Sequence, residues 1–289
     1  MYGYFNERNY NGDFPYTDLA CERRRADVNL PGVDYKREIS ACGSWERIKI
    51  SSKKGAEFIG RPPGIYDTLN TGRLDLLDEE GIEDATNEIA NELCYILDAS
   101  DIFPEKILVA GLGNPNLTPD AIGYTASKAV KPTMHISEHD RRLFESLNCA
   151  EIAVCTPGVA ATSGLDAAVM IRGLCEAIGP DAVIVIDALA SRAVERLGST
   201  IQISNTGISP GSGLGNPRTP ICYETVGAPV IAIGVPTIID SRMFSYNSAD
   251  RVKSKTYPRM FVSPKEINDI VEAAAQVIGG GINQAFGYL

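Results

Sequence analysis

The chain has 289 residues, 44% of them hydrophobic, enough for a substantial core in one large domain or two small ones. Its 27 Lys and Arg face 37 Asp and Glu, and the net charge of -10 repels a phosphate backbone, which argues against direct nucleic-acid binding. The longest uncharged apolar run, 228–236, is too short to cross a bilayer, and the N-terminus lacks the apolar core of a signal peptide, so no membrane partner is expected and the cytoplasm is the expected location.

Residues 1–16 interleave six aromatics with Asn, Gly and charge. Beyond them, ERIKI (46–50) and AEFI (56–59) read as short strands and RPPGIYDTL (61–69) as a turn into another, an antiparallel edge or a small β layer. From Glu80 to Ala99, Ile82, Ala85, Ile89, Leu93, Ile96 and Leu97 share one stripe at helical spacing, which predicts an amphipathic helix facing the core. Apolar runs at 106–110, 151–155, 182–186 and 229–233 then alternate with helical or glycine-rich segments, the pattern of a parallel sheet covered on both faces. Ser241 to Arg259 is polar and without period, and reads as a loop. Ser263-Pro-Lys-Glu266 reads as a capping box with Pro at the first helical position, opening the last helix. The expected fold is an α/β three-layer sandwich with a mainly parallel central sheet and a small N-terminal β-rich portion.

Two aspartates stand at the ends of buried strands. Asp120 follows Leu117-Thr-Pro, with Thr118 as N-cap and Pro119 at the first position, which puts the carboxylate in the first turn of a helix. Asp187 closes the run Ala182–Ile186 and precedes a helix expected from Ala188, at the carboxyl edge where open α/β sheets bind ligands. Each carboxylate alone also suits a helix N-terminus. Facing one crevice, the two would not both ionise easily and could act as acid and base on a water.

The loop Gly111-Leu-Gly113 begins like a dinucleotide fingerprint, but Asn116 stands where the third glycine belongs and Pro115 and Pro119 delay the helix, so no cofactor is expected. A second loop, Thr206 to Pro217, carries Gly207, Gly211, Gly213 and Gly215 and suits either an ordinary turn or close approach to an extended substrate. His135 and His139 are four apart, but the segment is a poor helix former and its glutamate is misplaced for HExxH, so no metal is assigned. The seven cysteines form no CxxC pair and read as reduced, mostly buried thiols; nothing local specifies Cys–His catalysis by Cys149 or Cys155.

The strings TDLACE (17–22), GLGNPNLTPDAIG (111–123), TPGVAATSGLD (156–166), VIDALASRAVERL (185–197), IQISNTGISPGSGLGNPR (201–218), ETVGAPVIAIGVPTIID (224–240) and SPKEINDIVEAAAQVIGGGIN (263–283) together resemble the germination protease family of spore-forming bacteria. The resemblance implies an endopeptidase that degrades small acid-soluble spore proteins at germination, located in the spore core. It implies an atypical aspartic peptidase whose essential aspartates fall on Asp120 and Asp187, and a fold similar to the hydrogenase maturation peptidases. It also implies a homotetramer, and a zymogen that removes a short N-terminal segment itself, here near the Tyr16–Thr17 bond, leaving 17–289 as one peptidase domain. Two departures are visible: the stretch between Asp240 and the last helix is shorter than in larger members, and Asn205 stands where relatives often carry Asp. The alternatives are a metal-dependent maturation-type peptidase using Asp120, Asp187 and a histidine as ligands, and a non-catalytic α/β binding module.

Overall fold

A computed structural model describes residues 17–23, 30–215, 218–243 and 260–287. Tyr16 and the rest of the expected propeptide, and residues 244–259 of the polar connection, lie outside the described residues. Among the described residues nine strands form one sheet: β1 (Val33–Ser40), β2 (Gly43–Ile50), β3 (Gly64–Asn70), β4 (Lys106–Gly111), β5 (Glu151–Cys155), β6 (Ala182–Ser191), β7 (Thr200–Ser204), β8 (Val230–Asp240) and β9 (Phe261–Val262). Their order is β1-β2-β3-β7-β8-β6-β4-β5, with β9 on β8. The strands β8, β6, β4 and β5 form the parallel block that the alternating apolar runs predicted. The remaining pairs are antiparallel, and β1 to β3 extend the same sheet through β7 instead of forming a separate layer.

The helices among the described residues are α1 (Lys53–Ile59), α2 (Glu79–Asp98), α3 (Ile122–Ala129), α4 (Met134–His139), α5 (Arg141–Leu147), α6 (Ala160–Ser163), α7 (Ala167–Ile178), α8 (Tyr223–Val226) and α9 (Ile267–Ala285). Alternation along the strands sends Ile107, Val109, Ile184 and Ile186 to one face, against α2, α3 and α9, and Leu108, Ala110, Val183 and Val185 to the other, against α7 and α8. Both faces are apolar because both are covered, which gives the three layers.

Three local expectations are corrected. AEFI is not a strand but the end of α1, where Ser52 accepts the Gly55 N–H and Gly60 closes the helix in the left-handed region. The last helix begins at Ile267, not after Ser263: pairing of Phe261–Val262 with β8 keeps the chain extended, and the Glu266 carboxylate goes to Arg73 at 3.3 Å. No helix starts at Ala188, because β6 runs on beside β8 to Ser191.

A buried ionic cluster joins β2, β3 and α2. Arg47 donates to Asp67 at 2.8 Å, Glu92 at 2.6 Å and Glu38 at 2.7 Å, and its guanidinium lies over the Trp45 and Tyr95 rings. Burial first, then the neighbouring Glu92, pushes the Asp67 carboxyl up to about 8 despite Arg47. Between the ordinary aspartate range and pH 8 the folded chain therefore holds a proton that the unfolded chain releases, and stability falls as pH rises through that window. Urea unfolding from pH 5 to 8.5 is expected to show this decline, and Asp67→Asn is expected to flatten it.

Candidate active site

Strand length creates the site. β4 pairs with β6 as far as Gly111 and Ile186, and the Leu112 N–H donates to the Ile186 carbonyl at 2.8 Å. There β4 stops while β6 continues, so Asp187 is the first residue past the end of its neighbour. Asp187 is 6% exposed, and its Oδ1 accepts the Ala188 N–H at 2.9 Å. Burial holds its carboxyl well above the usual range; the charges of Asp120 and Asp18 add to this, and the Ala188 N–H opposes it.

Asp120 reaches the same gap from the chain that leaves β4. Thr118–Asp120 is a single 3-10 turn, distinct from the helix α3 that follows, and Thr118 is inside the turn and not its cap. Asp120 Oδ2 accepts the Asn114 N–H at 2.9 Å, and buried Thr237 on β8 donates to the Pro119 carbonyl at 2.6 Å, fixing the turn. Burial raises the Asp120 carboxyl and the Asn114 N–H partly offsets it. Gly113 has φ +93, and a Cβ there would lie 1.9 Å from the Asp120 carbonyl oxygen. Gly113→Ala is therefore expected to displace the turn and to lower stability by about 1–3 kcal/mol. Thermal melting and peptide-cleavage rate together would check it, since both should fall.

The two carboxyls line one cavity of about 400 Å³. Asp18, Asp166 and Arg218 share its lining, as do the exposed apolar side chains Leu117 and Phe261. The glycine loop is distributed around it. Gly211 lines the cavity, Gly213 packs beneath Asp18, Gly215 closes the Ser212–Leu214 turn, and Gly207 lines a separate space of about 30 Å³ beside Tyr66. The N–H groups of Ser212, Leu214 and Gly215 donate to carbonyls inside the loop.

Other candidates lie elsewhere. His135 and His139 are exposed on α4 and line neither cavity, and among the described residues no group of three His, Cys, Asp or Glu side chains is arranged to hold a metal. The metal site with a histidine ligand is thus not assembled. Asn205 ties β3 to the end of α2, accepting the Ile65 N–H at 2.8 Å and donating to Ser100 at 2.9 Å. Among the cysteines only Cys175 is buried, Cys94 is exposed and the other five are half-buried, short of the mostly buried set expected; burial pushes the Cys155 thiol up to about 12, the reverse of an activated nucleophile.

A family model described as germination protease matches residues 18–257. The chain is 36% identical to the germination protease of Caldanaerobacter subterraneus subsp. tengcongensis over 93% of both chains. It is 39% identical to that of Bacillus subtilis over 82% of this chain and 66% of the relative.

The chain belongs to the germination protease family.

Membership makes it a protease associated with spore germination. Among solved structures it is similar to a NiFe hydrogenase maturation protease from Thermococcus kodakarensis KOD1, with a TM-score of 0.35, 18% identity and coverage of 64% of this chain and 99% of that one. The motif strings around Asp120 and Asp187 lie inside the matched region. Asp18, Arg218 and Thr237 lie inside the quoted strings 17–22, 201–218 and 224–240, but sequence reasoning gave none of them a role, because each meets the site through partners distant in sequence.

Proposed function

We propose that the protein is an endopeptidase of the aspartic type that cleaves small acid-soluble spore proteins at germination. The observation that carries the reading is the placement of Asp120 and Asp187, on separate elements, in the lining of one cavity, where the charge of Asp120 opposes ionisation of the buried Asp187. Asp187, the more deeply buried, is the general acid that protonates the peptide nitrogen or carbonyl oxygen; Asp120, half-buried and supported by the Asn114 N–H, is the base that takes a proton from the attacking water. Gly211 stands where backbone can approach an extended substrate.

The remaining family features are consistent with this assignment. A zymogen would lose residues 1–16 by its own activity near Tyr16–Thr17, leaving 17–289 as the mature domain. N-terminal sequencing of active material tests it, and an intact Met1 in active enzyme overturns it. The assembly is a homotetramer of the spore-core cytoplasm, without cofactor. The decisive experiment incubates the protein, alongside Asp120→Asn, with a small acid-soluble spore protein and maps the products. Discrete fragments from the parent alone support the dyad; equal cleavage by both, or by neither, overturns it. The rate should follow a bell in pH, rising as Asp120 ionises and falling as Asp187 does. Both limbs should lie above the ordinary carboxylate range, because burial raises both groups.

A further inference from the structure

The stretch of β6 that follows Asp187 is held by carboxylates from the beginning of the described chain. Asp18 Oδ2 accepts the Ala190 N–H at 2.9 Å, across 172 positions of sequence, and the Asp18 N–H returns to the Ala190 carbonyl at 2.9 Å. The other Asp18 oxygen accepts Ser212 Oγ at 2.6 Å and lies 3.6 Å from Arg61, so one side chain joins the Asp187 strand to the glycine loop. Gly213 is the floor of that contact: a Cβ there would fall 2.0 Å from the Asp18 carboxylate. Four residues on, Glu22 accepts the Arg192 N–H at 2.7 Å, the Ala193 N–H at 3.0 Å and Ser191 Oγ at 2.8 Å. The segment carrying them is fixed in turn, because Thr17, Leu19 and Ala20 are fully buried and the Thr17 carbonyl receives both Arg61 and Arg23.

We infer that Asp18 and Glu22 are positioning residues for peptide hydrolysis: they clamp Ala190–Ala193 against the glycine loop and so set where the Asp187 carboxyl stands in the cavity. The inference rests on the peptidase reading above for its kinetic consequence, but not for its geometry. A clamp of this kind is justified because the ladder that would otherwise hold this edge is missing: β4 ends before Asp187, and the N–H groups of Ala190, Arg192 and Ala193 would face a gap. Small displacements of a reacting group are expensive in rate. The charged groups facing Asp187 are Asp120 from the 118–120 turn and Asp18 from the clamp, with Asp166 and Arg218 on the same cavity wall.

Asp18→Ala, Asp18→Asn and Glu22→Gln test the clamp with two measurements. Turnover of the spore-protein substrate, normalised to folded protein, should fall about 100-fold in kcat for Asp18→Ala with KM near the parent value. Asp18→Asn keeps an acceptor for Ala190 and should recover most of that loss, while Glu22→Gln should fall between. Titration of Asp187 by carboxyl NMR, with the signal assigned through Asp187→Asn, should move to lower pH in Asp18→Asn, since one like charge has gone. Lower melting temperatures with unchanged kcat per folded molecule and an unmoved Asp187 titration would reduce both residues to a structural role and overturn the inference. Absence of cleavage by the parent would defeat the peptidase reading instead, and the titration then decides the clamp alone: Asp18→Asn and Asp18→Ala remove the same charge, so an Asp187 titration identical in the two, although only the first keeps an acceptor for Ala190, overturns it.

Discussion

Asp187→Asn is expected to fold and to lose cleavage by about 1,000-fold in kcat, the scale of removing a general acid. The substitution should not unfold the protein, because an amide of the same shape still accepts the Ala188 N–H and no longer carries the penalty of a buried carboxyl crowded by Asp120 and Asp18. A small gain in melting temperature alongside lost activity is therefore the expected pairing. Single-turnover cleavage measured with circular dichroism melting would test both halves. Parental turnover in the variant would remove Asp187 from the mechanism.

Arg47→Met should produce the largest stability loss of a single substitution in the β2–β3–α2 cluster, about 3 kcal/mol. Asp67 and Glu92 are 1% and 2% exposed, and Arg47 is the cation that donates to both. Removing it leaves the Glu92 carboxylate without its cation in a closed core, beside an Asp67 carboxyl that burial already holds protonated at pH 7. The methionine retains part of the packing against Trp45 and Tyr95, so the loss reports charge more than volume. Urea unfolding at pH 7 measures it. In the same background, Asp67→Asn with Glu92→Gln should restore much of the difference; failure to do so would place the loss in packing instead.

Legibility in the sequence followed the range of the interactions. The stripe from Ile82 to Leu97 and the runs that became β4, β5, β6 and β8 were readable, because burial of both sheet faces writes itself into consecutive residues. Asp120 and Asp187 were readable as a pair for a related reason: each follows such a run. What escaped depended on partners far along the chain. β7 is five residues, too few to carry a pattern of their own, that β3 and β8 flank, and AEFI carries strand-like residues whose conformation is decided by Ser52 and Gly60 at its ends. Asp187 looked like a strand terminus because polarity ends the apolar run there, yet pairing with Gly234 and beyond carries β6 onward. Thr237, locked to the Pro119 carbonyl, gives no sign in its own neighbourhood that it sets a turn 118 positions earlier.

The cavity collects Asp18, Asp120, Asp187, Gly211 and Phe261, so its walls come from both ends and the middle of the chain. During synthesis the first of these leaves the ribosome long before the last, and no fragment ending before the glycine loop contains a complete centre. The sheet repeats the arrangement, since β7 must insert between β3 and β8 before either half closes, a non-local step that is slow compared with helix formation. A nascent chain that has not yet reached the glycine loop therefore lacks part of the wall that surrounds Asp120 and Asp187.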